Sequence, residues 1–228
     1  AAGLAALAFL AVACGDDDNG DSAQPETDVT FEAGTTMAQL NERGSVRIGT
    51  KFDQPLFGLK GLDDVPTGFD VEIAKIIASE LGISEDDIEW IETPSQVREE
   101  RIIQDRVDFI VATYTINDER DERIDFAGPY YVAGQDLMVA IDNDEIQGPE
   151  DLRDANARVC SVTGSTPSEE IRQYIDGDPI LFDVYSKCAD ALRRDQADAV
   201  TTDNVILLGL VDESPDDFRL VGNPFTEE

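Results

Sequence analysis

The sequence contains no histidine. That removes the usual general base at neutral pH, the Ser-His and Cys-His nucleophile pairs, and most zinc sites. Neither a GxxxxGK phosphate loop nor a GxSxG nucleophile turn occurs. Bases are scarce: 17 Lys and Arg stand against 50 Asp and Glu, a formal net charge of −33. A chain this negative repels the phosphates of nucleic acid and offers no basic face to an anionic membrane. Most of the acids form a solvated surface of the kind suited to high salt. No cofactor, metal or nucleic-acid partner is expected, and a non-catalytic binding protein is the starting reading.

What is present begins with "AAGLAALAFLAVAC", residues 1–14. It falls short of the about 20 apolar residues that a spanning helix needs. It has the character of the apolar region of an export signal, with no Met and no base ahead of it. The small residues before Cys14 resemble a lipobox, with Ala11 where Leu is usual; an ordinary signal peptide with an incidental cysteine is the alternative. Residues 15–35 are acidic and poor in large apolar side chains, which predicts a flexible leash. In an exported chain Cys160 and Cys188 are expected to pair, two buried free thiols being the other outcome.

From Thr36 onward helical and strand patterns alternate, which predicts parallel sheets flanked by helices. "TMAQLNERG" predicts a helix closed by Gly44. "DVEIAKIIASELG" predicts another, with Asp70 as cap, Gly82 as stop, and Ile73, Ile76, Ile77 and Leu81 on one face. "VDFIVATYT" and "ADAVTTD" predict strands, and the long apolar "YYVAGQDLMVAI" predicts a crossover between lobes. The expected organisation is a first lobe over 36–130, a second over 131–224, and the start of a second crossing at 225–228.

In open α/β sheets ligands bind beyond the carboxyl ends of the strands. The polar residues of this chain collect there. Lys51 and Asp53 follow "VRIGT"; Thr113 and Thr115 end "DFIVATYT". Thr163, Ser165 and Thr166 follow "VCSV", and Thr202 and Asp203 end "DAVTTD". Arg120 lies a few residues past a strand end, placed either to pair with its acidic neighbours in solvent or to turn back and grip a carboxylate through its planar fork. Arg123 is assigned the surface role. "STPSEE" predicts a helix headed by Thr166, with Pro167 first inside and Glu169 at capping-box spacing; its first amides can also receive an anion. Asp203 serves as a helix cap or as the receiver of an ammonium group. Phe69 is a core aromatic or a lid over aliphatic carbon. Together the set suits a small zwitterion, an amino acid.

The segments "VRIGTKFDQP", "GFDVEIAKIIASELG", "DERIDFAGPYY", "VCSVTGST" and "ADAVTTDN" resemble those of bacterial extracellular solute-binding proteins, family 3, the polar amino-acid receptors of ABC importers. The glutamate-binding lipoproteins are the nearest in character. The resemblance runs from about Thr36 to the end. It implies an α/β, two-lobed, periplasmic-binding-protein-like type II fold with parallel-rich sheets. It further implies that Arg120 clamps the ligand α-carboxylate, assisted by Thr115 and the backbone near Thr113, where many relatives have glycine. Asp203 would receive the α-ammonium, Ser165 and Thr166 would contact a carboxylate, and Phe69 would pack on the ligand side chain. Lys51 and Gln54 are the candidates for reading that side chain. The family offers a precedent for the Cys160–Cys188 pair. Its chains continue through a second hinge strand, so the closing part of the first lobe is expected to be missing from this sequence.

The function implied is capture of a polar amino acid, glutamate first and aspartate or glutamine next. The receptor would be a monomer, lipidated at Cys14, on the outer face of the cytoplasmic membrane, and would deliver its ligand to an ABC permease. Two other readings stand beside it. One is a dehydratase- or lytic-type enzyme on the same lobes, which needs a carboxylate poised at a reacting atom. The other is the ligand-sensing domain of a signalling receptor.

Overall fold

A computed structural model of the protein describes residues 29–62 and 64–227. The segment expected to be an export signal, Cys14 and most of the expected acidic leash lie outside the described residues. Among the described residues no helix is long and apolar enough to cross a membrane.

The first lobe runs through α1 (Thr36–Arg43), β1 (Val46–Thr50), β2 (Asp53–Gln54), β3 (Gly58–Leu59), α2 (Phe69–Glu80), β4 (Ile88–Glu92), α3 (Arg98–Ile103), β5 (Phe109–Ile110) and α4 (Asp118–Asp121). Its sheet has the parallel order β4-β1-β5, and β2 and β3 form a separate antiparallel hairpin. The second lobe contains β6 (Gln135–Ala140), α5 (Asp151–Asp154), β7 (Val159–Val162), α6 (Thr166–Glu170), β8 (Ile180–Phe182), α7 (Tyr185–Arg193), β9 (Ala199–Asp203), α8 (Asn204–Glu213) and β10 (Phe218–Leu220). Its sheet order is β10-β6-β9-β7-β8. β7 is parallel to both β8 and β9, whereas β6 runs antiparallel to β9 and β10. Within the apolar run predicted as a crossover, Gln135–Ala140 form β6, an interior strand buried on both faces.

Each sheet has its own core. Val46, Ile48 and Val111 pack against Ala74, Ala78 and Leu81 of the first lobe. In the second lobe Met138, Cys160, Val162 and Val200 pack under Cys188, Leu192, Leu207 and Leu210, while Leu137, Val139, Val159 and Ala199 face Leu152, Ile171 and Ile175 on the other side. Cys160 of β7 and Cys188 of α7 form a disulfide across 28 positions. A loop of that size contributes about 3–4 kcal/mol in the chain-entropy model.

Several expectations are corrected. The N-cap of α2 is Gly68, at φ 130°, where a Cβ would lie 2.4 Å from the Phe57 backbone. Asp70 sits in the first turn instead and directs its carboxylate elsewhere. The buried face of α2 is Val71, Ala74 and Ala78, while Ile76 and Ile77 stay exposed: small residues, not the isoleucines, set how closely the helix lies on the sheet. Ser165, not Thr166, caps α6, accepting from the Ser168 amide at 3.2 Å, and Glu169 pairs with Arg172 rather than closing a capping box. The strand predicted over 107–115 ladders only at Phe109–Ile110.

The two lobes share one local device. At the start of β1 the Arg47 amide donates to Asp108 at 2.7 Å, its guanidinium bonds the same carboxylate, and a further nitrogen reaches the Asp105 carbonyl at 2.6 Å. At the start of β7, Arg158 does the same with Asp198 (2.7 Å) and the Asp195 carbonyl (2.9 Å). Asp105 and Asp195 both adopt left-handed backbone, φ 52° and 57°. Each device ties a strand start to the turn entering the neighbouring strand.

Candidate ligand-binding site

The carboxyl ends of β1, β4, β5, β7 and β9 face one another across a cleft. From the first lobe Gln54, Ser95, Arg98, Thr113 and Thr115 line it. From the second come Ser165, Thr166, Tyr185, Thr202 and Asp203, with Pro167 and Ile206 beside them. The lobes meet closely, leaving about 10 Å³. That is room for one water, so an amino acid enters only if the lobes part.

Thr113 holds a strained turn. Its φ of 44° is left-handed, which costs a residue with a Cβ about 1–2 kcal/mol. Surrounding groups offset that strain. Its amide donates to Asp70 at 2.7 Å and its hydroxyl donates to Gln54 Oε1 at 2.8 Å. Arg98 donates to the carbonyls of Ala112 and Thr113 at 3.1 and 3.4 Å. Asp70 is wholly buried, and its other oxygen accepts from the Tyr130 hydroxyl at 2.8 Å. Burial pushes its carboxyl up to about 6, against the opposing pull of those two hydrogen bonds.

Arg98 went unnoticed in the sequence, where "REER" gave it three charged neighbours and no assigned face. In the structure it is buried and stacks on the Tyr114 ring at 3.8 Å. Desolvation, then the nearby Arg120, draws its pKa down to about 10. Its Nε and the Gln54 Nε2 are buried donors with no partner. Two unspent donors at one cavity are what an oxygen-rich ligand would satisfy. The signal that could have found Arg98 was its place, just beyond Thr93 and Ser95 at the end of β4.

Arg120 and Lys51 are both buried, and neither lines the cavity; each reaches it through a lining residue. For Arg120 that residue is Thr115. Arg120 donates to the Thr115 carbonyl at 2.7 Å and, across the cleft, to the Gly164 carbonyl at 3.1 Å, and it lies 3.4 Å from Glu99. Lys51 is 3% exposed and donates to Ser95 Oγ at 2.8 Å. Desolvation first, and Arg98 second, lower its pKa to about 7. Asp203 occupies the N-cap position of α8 without a side-chain capping bond. Its charge acts on the Lys51 amine and on the Tyr185 hydroxyl, whose pKa burial raises to about 12. Ser165 donates to the Val162 carbonyl at 2.8 Å, and the Thr166 hydroxyl lies 3.5 Å from Asn117 of the first lobe. Phe69 does not line the cavity; its ring packs with Phe57, Tyr130 and Tyr131 at 5.6–6.1 Å.

Three buried cations, Lys51, Arg98 and Arg120, thus gather with the carboxylates of Asp203, Asp70 and Glu99 at the meeting of two α/β lobes. Residues 46–216 match the model of the bacterial extracellular solute-binding proteins, family 3. The chain belongs to that family. As a solute-binding protein it is 40% identical over 226 residues to glutamate-binding protein GluB of Corynebacterium efficiens, covering 95% of this chain and 72% of that relative. It is 36% identical to the ABC transporter glutamine-binding protein GlnH of Bacillus subtilis, covering 96% of this chain and 78% of the other. Among solved structures, the solute receptor for L-cysteine of Neisseria gonorrhoeae superposes with a TM-score of 0.76 at 31% identity, over 85% of this chain and 78% of that one. The type II two-lobed fold expected from the sequence is the fold found. The relatives are amino-acid-binding proteins, and this solute-binding protein shares their architecture.

Proposed function

We propose that this protein is the extracytoplasmic receptor of an ABC importer, a monomer tethered through Cys14, and that its ligand is glutamate. The observation that carries the reading is the pair of unspent buried donors at the cleft, Arg98 Nε and Gln54 Nε2. Lys51, Arg98 and Arg120 are all buried there; Asp203 lines the cavity, while Asp70 and Glu99 are engaged with Thr113 and Arg120. Glutamate brings two carboxylates and one ammonium. Buried donors left unpaired are costly, and a side-chain carboxylate accepts at both oxygens where an amide has one acceptor, so glutamate gains more here than glutamine does. In this reading Arg120 and the Thr113–Thr115 turn hold the α-carboxylate and Asp203 receives the ammonium. Arg98, Lys51 and Gln54 Nε2 meet the side-chain carboxylate. Ser165 and Thr166 complete the set from the second lobe, so that the ligand bridges both lobes and favours their closure. The closed form then engages the permease. At long range the acidic surface opposes an anion, but salt screens that beyond roughly 8–10 Å.

Calorimetry with the twenty amino acids tests this. Glutamate should bind most tightly, aspartate and glutamine at least about tenfold more weakly, and the glutamate analogue lacking its amine weaker still. Glutamine binding as tightly as glutamate would remove that argument.

A further inference from the structure

The β2–β3 hairpin belongs to the first lobe but spends two of its groups on the second. Asp53 Oδ2 accepts from the Tyr185 amide at 2.8 Å and the Ser186 amide at 3.4 Å. These are first-turn amides of α7, whose own N-cap residue, Val184, supplies no side-chain bond. The helix is therefore capped by a carboxylate 132 positions away, and only while the lobes touch. Two residues on, the Pro55 carbonyl lies against Gly209 of α8. A Cβ built at Gly209 would meet that oxygen at 2.4 Å, a distance no real pair tolerates. Asp53, Pro55 and Gly209 do not line the ligand cavity, whereas Gln54, between the first two, does.

We propose that Asp53 and Pro55, on either side of Gln54, form a clasp that holds the lobes together without touching the ligand, and that Asp53 and Gly209 set the receptor's affinity by setting how often it is closed. Asp53 satisfies amides that are otherwise left to water, and it places negative charge at the positive end of a nine-residue helix. Gly209 gives the hairpin room to seat. An apparent dissociation constant scales inversely with the competent fraction, so loosening the clasp weakens capture although every ligand contact survives. That consequence for affinity rests on the amino-acid reading above; the clasp itself does not.

The test uses the whole chain carrying Asp53→Ala or Gly209→Ala. Small-angle scattering of the ligand-free protein reads lobe separation. Stopped-flow with glutamate reads the association and dissociation rates, and a thermal melt reads folding. Both variants should scatter as a more open particle without ligand, and both should release glutamate about tenfold faster. Gly209→Ala is the decisive variant. Alanine favours a helix interior over glycine, so α8 itself is not weakened and the melting temperature should hold or rise while affinity falls. Unchanged scattering and unchanged release in Gly209→Ala overturns the clasp. So does weakened binding that appears only together with a collapsed melting temperature. If the wild type binds none of the amino acids, the amino-acid reading fails, and the ligand-free scattering still decides for or against the clasp.

Discussion

The buried carboxylate of Asp70 holds the Thr113 amide at 2.7 Å across 43 positions of sequence, and so fixes the turn that lines the cavity. Its second oxygen holds Tyr130, next to the segment that leads into β6. An asparagine amide has one acceptor oxygen where both native partners donate. Asp70→Asn should therefore weaken glutamate binding about tenfold. Its effect on stability should be small. The raised carboxyl, about 6 against an ordinary 3.8, costs the folded state free energy above pH 6, a cost relieved as pH falls towards 3.8; the substitution removes that cost. Calorimetry beside a thermal melt separates the two effects, and an unaltered affinity would contradict the assignment.

Lys51 makes capture depend on protons. Its amine is lowered to about 7 from 10.5, so between those values the unfolded chain holds a proton that the folded chain does not. Stability then rises with pH across that window. A carboxylate arriving beside the amine restores its charge. At pH 8 glutamate binding should take up protons, seen as a binding heat that varies with the ionisation enthalpy of the buffer. In Lys51→Met the uptake should vanish and glutamate should bind more weakly. Equal proton uptake in both proteins would assign the effect elsewhere.

Arg98 and Arg120 should fail differently. Arg120→Ala removes the grip on the group common to all amino acids, so glutamate and glutamine should both be lost. Arg98→Ala removes a cation assigned to the side-chain carboxylate. Glutamate should weaken by about two orders of magnitude, in the range of a truncated buried charged contact, and glutamine by far less. Titrating each variant with both ligands checks this. An Arg98→Ala protein that still prefers glutamate would return the side-chain role to Lys51 alone.

Reduction of the Cys160–Cys188 bridge should lower the melting temperature by several degrees, in keeping with about 3–4 kcal/mol of lost constraint. It should reach the site as well, because β7 leads to Ser165 and α7 begins at Tyr185. Melting and glutamate titration with and without reductant, with free thiols counted, make the comparison.

The helix ends and strand positions were largely legible because they are written locally. Gly44 closes α1 at φ 68°, as a glycine after a periodic run should. The gathering of Thr113, Thr115, Ser165, Thr166, Thr202 and Asp203 around one cavity was legible from the edge rule for open sheets, whereas Gln54 came only from the family resemblance. What was hidden depends on distant partners. Asp70 looked like a cap because an acid just ahead of an apolar helical run is a local signal, while Thr113 and Tyr130 lie far along the chain. Arg98 looked like one charge among several until β4 and β5 brought Ala112 and Tyr114 to it. Phe69 could not be placed from sequence, since a core ring and a lid ring have the same neighbours in the chain. The exposed Ile76 and Ile77 misled for a related reason: periodicity finds an apolar stripe but not which edge of it meets the sheet.

The matched Arg47–Asp108 and Arg158–Asp198 ties have a mechanical consequence. Each closes on its own lobe and keeps its strands in line without help from the other. A rotation of one lobe past the other can then leave both sheets undistorted. In the proposed closure the free energy of gripping a ligand would then go into moving the lobes, with little lost in bending either half.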